Sequence, residues 1–171
     1  MFTVEEIIKA TKAKLLQGNL KGKLKSISTD SRQLRIQGAF LALKGNNFEG
    51  HDFIASAIKS GATCIIVSKI TGWPIPKKIA VIQVKDTTIA LGQIARFQRR
   101  KINLPVIAVT GSNGKTTTKE MIAWVLSKEA QVLKNEGTKN NHIGLPQTLI
   151  QLKKNDDFAV VEIGSNHFGE V

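Results

Sequence analysis

Apolar residues open the chain at helical spacing. Val4, Ile7, Ile8, Thr11 and Leu15 recur every three or four positions, which predicts an amphipathic helix. Thr3 precedes them and Glu6 follows it by three residues, the pattern of a capping box. The rhythm then changes to short apolar and β-branched runs at Leu24 to Thr29, Ala39 to Lys44, Thr63 to Val67 and Ile79 to Val84. These read as strands, with a helical stretch at Phe53 to Lys59 between the second and third. Trp73-Pro74-Ile75-Pro76 reads as a surface connection, because neither proline fits inside a regular element. Residues 1–84 are therefore expected to form a small mixed α/β domain.

A second rhythm begins at Asp86. Asp86 or Thr87 is placed to cap a helix with Leu91, Ile94, Ala95 and Gln98 on one face. Arg96, Arg99, Arg100 and Lys101 crowd its end, where they complement the helix dipole. Asn103-Leu104-Pro105 breaks it, and Val106 to Thr110 follows as a short run of the buried parallel-strand type. A further helix starts near Lys115, with Met121, Ile122, Val125 and Leu126 on one face. Pro146 is placed as the first residue of a helix through Leu152. Phe158 to Gly164 reads as another strand, expected to run parallel to Val106–Thr110. The domain boundary is expected near residue 85, giving 1–84 and 85–171.

Composition limits the setting and the partners. The N-terminus carries acids where a signal peptide has bases, and no apolar stretch approaches a membrane span. The single cysteine, Cys64, sits in an apolar run and reads as a core residue. Both points favour a reducing, cytoplasmic location without membrane insertion. The net charge of +12 suits a polyanionic partner. Aromatics are sparse and do not interleave with basic runs, so nucleic acid is not the expected partner. The three histidines are far apart in sequence, and no zinc-ligand spacing exists.

The strongest chemical signal is strand, glycine loop, helix. Between Val106–Thr110 and the helix lies Gly111-Ser112-Asn113-Gly114-Lys115-Thr116-Thr117. Glycines let backbone N–H groups turn toward an anion, and the helix N-terminus adds partial positive charge. Lys115 is placed to reach the β- and γ-phosphates of ATP, and the Thr116 hydroxyl to ligate Mg²⁺. The common phosphate-loop pattern has a glycine where this chain has Val109; Gly111 supplies one two positions later. Glu162 ends the apolar run of the second strand and is a candidate second Mg²⁺ ligand, since strand C-termini share one crevice.

These residues resemble the Mur ligase family. The resemblance rests on Ser28 to Arg32 with Gly38 to Leu43, on Gly45 through Phe53, on the loop Gly111 to Thr116, and on Asn140 to Pro146 followed by Val161 to His167. Within the family the chain is similar to members that join D-alanyl-D-alanine to UDP-N-acetylmuramoyl-tripeptide. The resemblance implies a small N-terminal α/β domain followed by the first part of a P-loop-type parallel-sheet ATP-binding domain. It implies that Lys115 and Glu162 are catalytic. It also implies that Asp30, Ser31, Arg32, Gly45, Asn46, Asn47, Asn140 and Asn141 bind substrate. A sister muramyl ligase, a folylpolyglutamate-type ligase and a non-catalytic nucleotide-binding module are the alternatives. Family members have three domains, so these 171 residues are expected to be an N-terminal fragment. By themselves they should be inactive as a ligase and expose apolar sheet edges.

Overall fold

The structure is a computed structural model and describes residues 1–45, 49–70, 72, 74–137 and 139–164. The chain divides into two compact units, Met1–Ile94 and Ala95–Val171. The division falls inside helix α3 (Thr87–Ile102). The composition shift near residue 85 marks the start of that helix, whereas the packing changes half-way along it.

In the first unit, α1 (Val4–Thr11) starts on the expected capping box. Thr3 Oγ1 accepts from the Glu6 N–H, and Glu6 Oε2 accepts from the Thr3 N–H. Lys12 adopts a left-handed conformation (φ 51°) and stops the helix, so Leu15 belongs to strand β2 (Lys14–Gln17) instead. The run at 24–29 is two strands in two sheets. β3 (Lys23–Leu24) pairs antiparallel with β1 (Phe2–Thr3), and β4 (Ile27–Ser28) joins the main sheet. That sheet has order β2-β7-β6-β5-β4, with β5 at Gly38–Leu41, β6 at Ala62–Val67 and β7 at Ala80–Gln83. All neighbours are parallel except β2 with β7. β5 ends before Lys44 because the Leu43 N–H folds back onto the Leu41 carbonyl at 3.0 Å. A 3-10 turn, Gly50–Phe53, leads into α2 (Ile54–Lys59).

Every residue of β5 is buried, as are five of the six in β6, so both faces of the central strands are covered. Phe40, Ile54, Ile65, Val67 and Ile79 form one core cluster. Cys64 is fully buried, and burial pushes its thiol up to about 12, which makes it an inert core residue.

In the second unit, β8 (Val106–Val109), α4 (Lys115–Leu126), β9 (Val132–Lys134), α5 (Gly144–Leu149) and β10 (Phe158–Glu162) follow one another. The sheet order is β8-β10-β9, all parallel, and Glu162 stands opposite Val109. The two anticipated strands are thus parallel neighbours, and β10 lies between β8 and the short, unanticipated β9. A small core joins Leu104, Leu152 and Ala159. Gln98, on the expected inner face of α3, is buried and donates to the Leu152 carbonyl at 2.6 Å.

Three expectations need correction here. β8 is half-buried with Ala108 exposed, because it is the edge strand of the described sheet and not a central one. On α4, Met121 and Val125 are exposed, while Lys119 and Ala123 are the buried residues. α5 starts two residues before Pro146 and ends at Leu149. The Asn141 side-chain oxygen accepts from the N–H groups of Ile143 and Gly144, which starts the turn earlier. Among the described residues, no helix is long and apolar enough to cross a membrane.

Candidate phosphate-binding site

The chain leaves β8, turns through Gly111 to Gly114 and enters α4 at Lys115. Gly111 (φ 143°) and Gly114 (φ 73°) hold backbone conformations that L side chains rarely adopt. A Cβ at either position would meet no atom within 4 Å, so the glycines are needed for the path of the backbone and leave open space beside it. Gly114 is the residue before the first turn of α4, and the partial positive charge of that helix end falls on the loop. Lys115 Nζ donates to the carbonyls of Gly111 at 2.7 Å and Ser112 at 3.4 Å. Its ammonium therefore lies across the mouth of the loop it belongs to. Ser112, Asn113 and Thr117 are exposed there.

The Glu162 carboxylate, 2% exposed, faces this loop from the end of β10. Thr116 Oγ1 donates to its Oε2 at 2.7 Å, and Asn140 Nδ2 donates to its Oε1 at 2.7 Å. Each carboxylate oxygen thus has a neutral donor, and no cation among the described residues forms an ion pair with it. Among the described residues no cluster of three or more His, Cys, Asp or Glu side chains exists to hold a metal. A hydroxyl and one carboxylate suit a cation that keeps waters and shares phosphate oxygens, as Mg²⁺ does. The donors fit a Mg²⁺–phosphate group.

The sequence-predicted residues fall into separate groups. Lys115, Thr116, Glu162 and Asn140 are brought together. Asn141 is exposed, and its side-chain oxygen is engaged in starting α5. Asp30, Ser31 and Arg32 lie beyond the end of β4 in the first unit. There Asp30 Oδ1 and Oδ2 hold the Arg32 guanidinium, and Ser31 is buried. The Arg32 guanidinium keeps the Asp30 carboxyl below the usual range. Gly45 is half-buried beyond the neighbouring parallel strand β5. Asn46 and Asn47 lie outside the described residues, as do Trp73, Thr138 and Ser165 to His167.

Next to Gly45, His51 is buried and pins this end of the sheet. Its Nδ1 meets Glu49 Oε1 at 2.5 Å, and its Nε2 accepts from the N–H groups of Ser68 and Lys69. Bonds from His51 and Lys69 hold the Glu49 carboxyl down to about 2.

Sequence reasoning missed two residues beside the site. Lys119 and Asn135 are both fully buried and bonded to each other. The available signal was a lysine at i+4 from Lys115, on the same stripe of α4 as Ala123.

Residues 23–99 match the Mur ligase family catalytic domain, and residues 109–171 match the Mur ligase middle domain. The UDP-N-acetylmuramoyl-tripeptide–D-alanyl-D-alanine ligase of Escherichia coli (strain K12) is 41% identical over 160 residues, which are 92% of this chain and 34% of that protein. A crystal structure of MurF from Acinetobacter baumannii superposes with a TM-score of 0.88 at 41% identity, over 99% of this chain and 37% of that one. MurF ligase from Thermotoga maritima, crystallised in complex with ADP, gives 0.71 at 31% identity, over 85% of this chain and 33% of that one. The chain spans about a third of the length of the curated relatives it matches.

Proposed function

The chain belongs to the Mur ligase family, and from that premise we propose that it carries the phosphate-handling part of a ligase joining D-alanyl-D-alanine to UDP-N-acetylmuramoyl-tripeptide. One observation supports this most: Lys115, Thr116 and the buried Glu162 converge on a glycine loop with open space at both glycines. In this reading ATP is a substrate, the site lies in a cytoplasmic enzyme, and residues 85–171 contribute the ATP-binding part. Residues 1–84 hold the uridine-nucleotide end of the acceptor. The loops after β4 and β5, with Asp30 to Arg32 and Gly45, are the candidates there.

ATP transfers its γ-phosphoryl group to the terminal carboxylate of the tripeptide, giving an acyl phosphate and ADP. The dipeptide amine then attacks the acyl carbon, loses a proton and expels phosphate. Charge spreads over the phosphoryl oxygens as transfer proceeds. Lys115 is placed to leave the loop carbonyls and follow that charge, while the backbone N–H groups of the loop bind the phosphates without reorganising. Bound Mg²⁺ would neutralise phosphate charge and template the oxygens, held through Thr116 and Glu162.

The test is release of phosphate that depends on ATP, acceptor and amine donor together. It uses a polypeptide of the relatives' length that contains this sequence. D-alanyl-D-alanine should support turnover and single amino acids should not. Turnover with a single amino acid instead would point to a sister ligase. The 171 residues alone are expected to bind nucleotide weakly and to ligate nothing.

A further inference from the structure

A lysine buried in a protein interior needs partners for all three of its protons. Lys119 has them. Its Nζ donates to the Asn135 carbonyl at 2.6 Å and the Gly137 carbonyl at 3.4 Å, and it pairs with Glu120 Oε1 at 3.0 Å. The first two bonds tie α4 to the segment that follows β9.

Asn135, where that segment begins, is also fully buried. The backbone pairing of β9 with β10 ends at Lys134 opposite Val160. Beyond it the Asn135 side chain takes over. Its Oδ1 accepts from the Glu162 N–H at 2.9 Å, and its Nδ2 donates to the Glu162 carbonyl at 3.3 Å and the Lys139 carbonyl at 3.1 Å. One amide thus grips both backbone groups of Glu162 and the residue before Asn140.

The two oxygens of Glu162 are held from two different elements: Thr116 reaches one from α4, and Asn140 reaches the other from the segment after β9. Lys119 lies one turn beyond Thr116 and bonds the carbonyl of Asn135. It therefore braces together the two elements that hold the carboxylate. We propose that Lys119 and Asn135 are positioning residues that set the Glu162 carboxylate against the phosphate loop, and so set its affinity for the metal. This rests on the reading of Glu162 as a metal-bearing acid.

A purely structural role predicts something different. Lys119→Met leaves the buried Asn135 carbonyl without its donor and so lowers the melting temperature; if that were all, metal-free and metal-dependent binding would weaken together. Glu120 keeps its pairing with Lys134 in that variant, so its charge is not left alone. The experiment uses this chain with Lys119→Met and, separately, Asn135→Leu. Nitrogen-15 NMR reads the Glu162 backbone amide and the Asn140 side-chain amide without any ligand. ADP binding is then followed at rising Mg²⁺.

In both variants the Glu162 amide should exchange faster and the Asn140 side-chain signal should move. The Mg²⁺ concentration that half-saturates the metal-dependent step should rise about 10- to 100-fold, as is usual when groups supporting a ligand are lost. Metal-free ADP binding, carried by Lys115 and the loop, should be unchanged. Unmoved Glu162 and Asn140 signals in a folded variant would overturn the proposal, as would an equal loss of metal-free and metal-dependent binding. If Lys119→Met fails to fold, Asn135→Leu decides the matter. If the parent chain binds no ADP at millimolar concentration, the nucleotide reading fails while the two amide signals still judge the positioning role.

Discussion

The two units differ in how much polar chemistry they bury within their apolar interiors. In the first, β5 and β6 fill the interior with Ala39, Phe40, Leu41, Cys64, Ile65 and Ile66, and its buried polar groups are few, Ser31 and His51 among them. In the second, Lys119, Asn135, Thr148 and Glu162 are buried, while Met121, Trp124 and Val125 stand 60–64% exposed on α4. A groove of about 570 Å³ lies among these exposed residues, Val132 and Lys134. The first unit uses its interior for stability. The second uses its interior to hold the Glu162 carboxylate against the Thr116 hydroxyl beside the glycine loop, the site of the proposed function. The comparison teaches that a hydrophobic pattern reports burial well where stability is the only demand, and poorly beside a site.

The largest expected effect is chemical. In a ligase of the relatives' length, Lys115→Ala should lower turnover by about 100- to 1,000-fold, or roughly 3–4 kcal/mol, the scale for losing one donor to developing charge. The fold should be unaffected, since Lys115 bonds only the carbonyls of its own loop. Steady-state kinetics with both substrates checks this, and near-parental turnover removes Lys115 from the mechanism.

The next effect tests the contrast between interiors directly. Ile65→Ala, in the first unit's core, should cost about 3 kcal/mol through lost contacts and a cavity. Val125→Ala on the exposed face of α4 should stay within about 0.5 kcal/mol. Denaturant unfolding, with amide exchange followed in each unit, separates the two. Equal losses would mean that α4 is covered in solution.

The smallest effect concerns Glu49. Its folded carboxyl lies at about 2 against an ordinary 4.5, so its contribution is fully present above about 4.5 and is lost as pH falls toward 2. Glu49→Gln keeps an acceptor for His51 but loses the charge. It should cost about 1 kcal/mol at pH 7, and the gap to the parent should close as pH falls from 4.5 toward 2. A gap as wide at pH 2 as at pH 7 would refute the charge-based account of this pair.

Much of the architecture was legible in the sequence. Thr3 and Glu6 marked α1, Asp86 marked α3 by capping Ile89, and the β-branched runs marked β6, β7, β8 and β10. What stayed hidden has physical reasons. β9 is three residues long, too short for a periodic signal. Leu15 fits the helical period, but the left-handed Lys12 ends α1 before it. Met121 and Val125 share a helix face whose burial depends on what covers it, which periodicity does not report. The glycine loop, Lys115, Thr116 and Glu162 stood out because their types and spacing suit phosphate chemistry, and the structure brings them together, which is what the proposed role rests on. Lys119 and Asn135 were not, because a lone lysine or asparagine ordinarily signals a solvated surface, and only the three-dimensional pairing shows otherwise.

The central claim is that the loop between β8 and α4, with Glu162, receives nucleotide phosphates and their metal. Amide NMR of this chain during titration with ADP, first without and then with Mg²⁺, tests it even if binding is weak. The account predicts shifts at Gly111 to Thr117 on adding ADP, a further shift at Glu162 only when Mg²⁺ follows, and neither in Lys115→Ala. Shifts confined to residues elsewhere, or an unchanged response in Lys115→Ala, would contradict it.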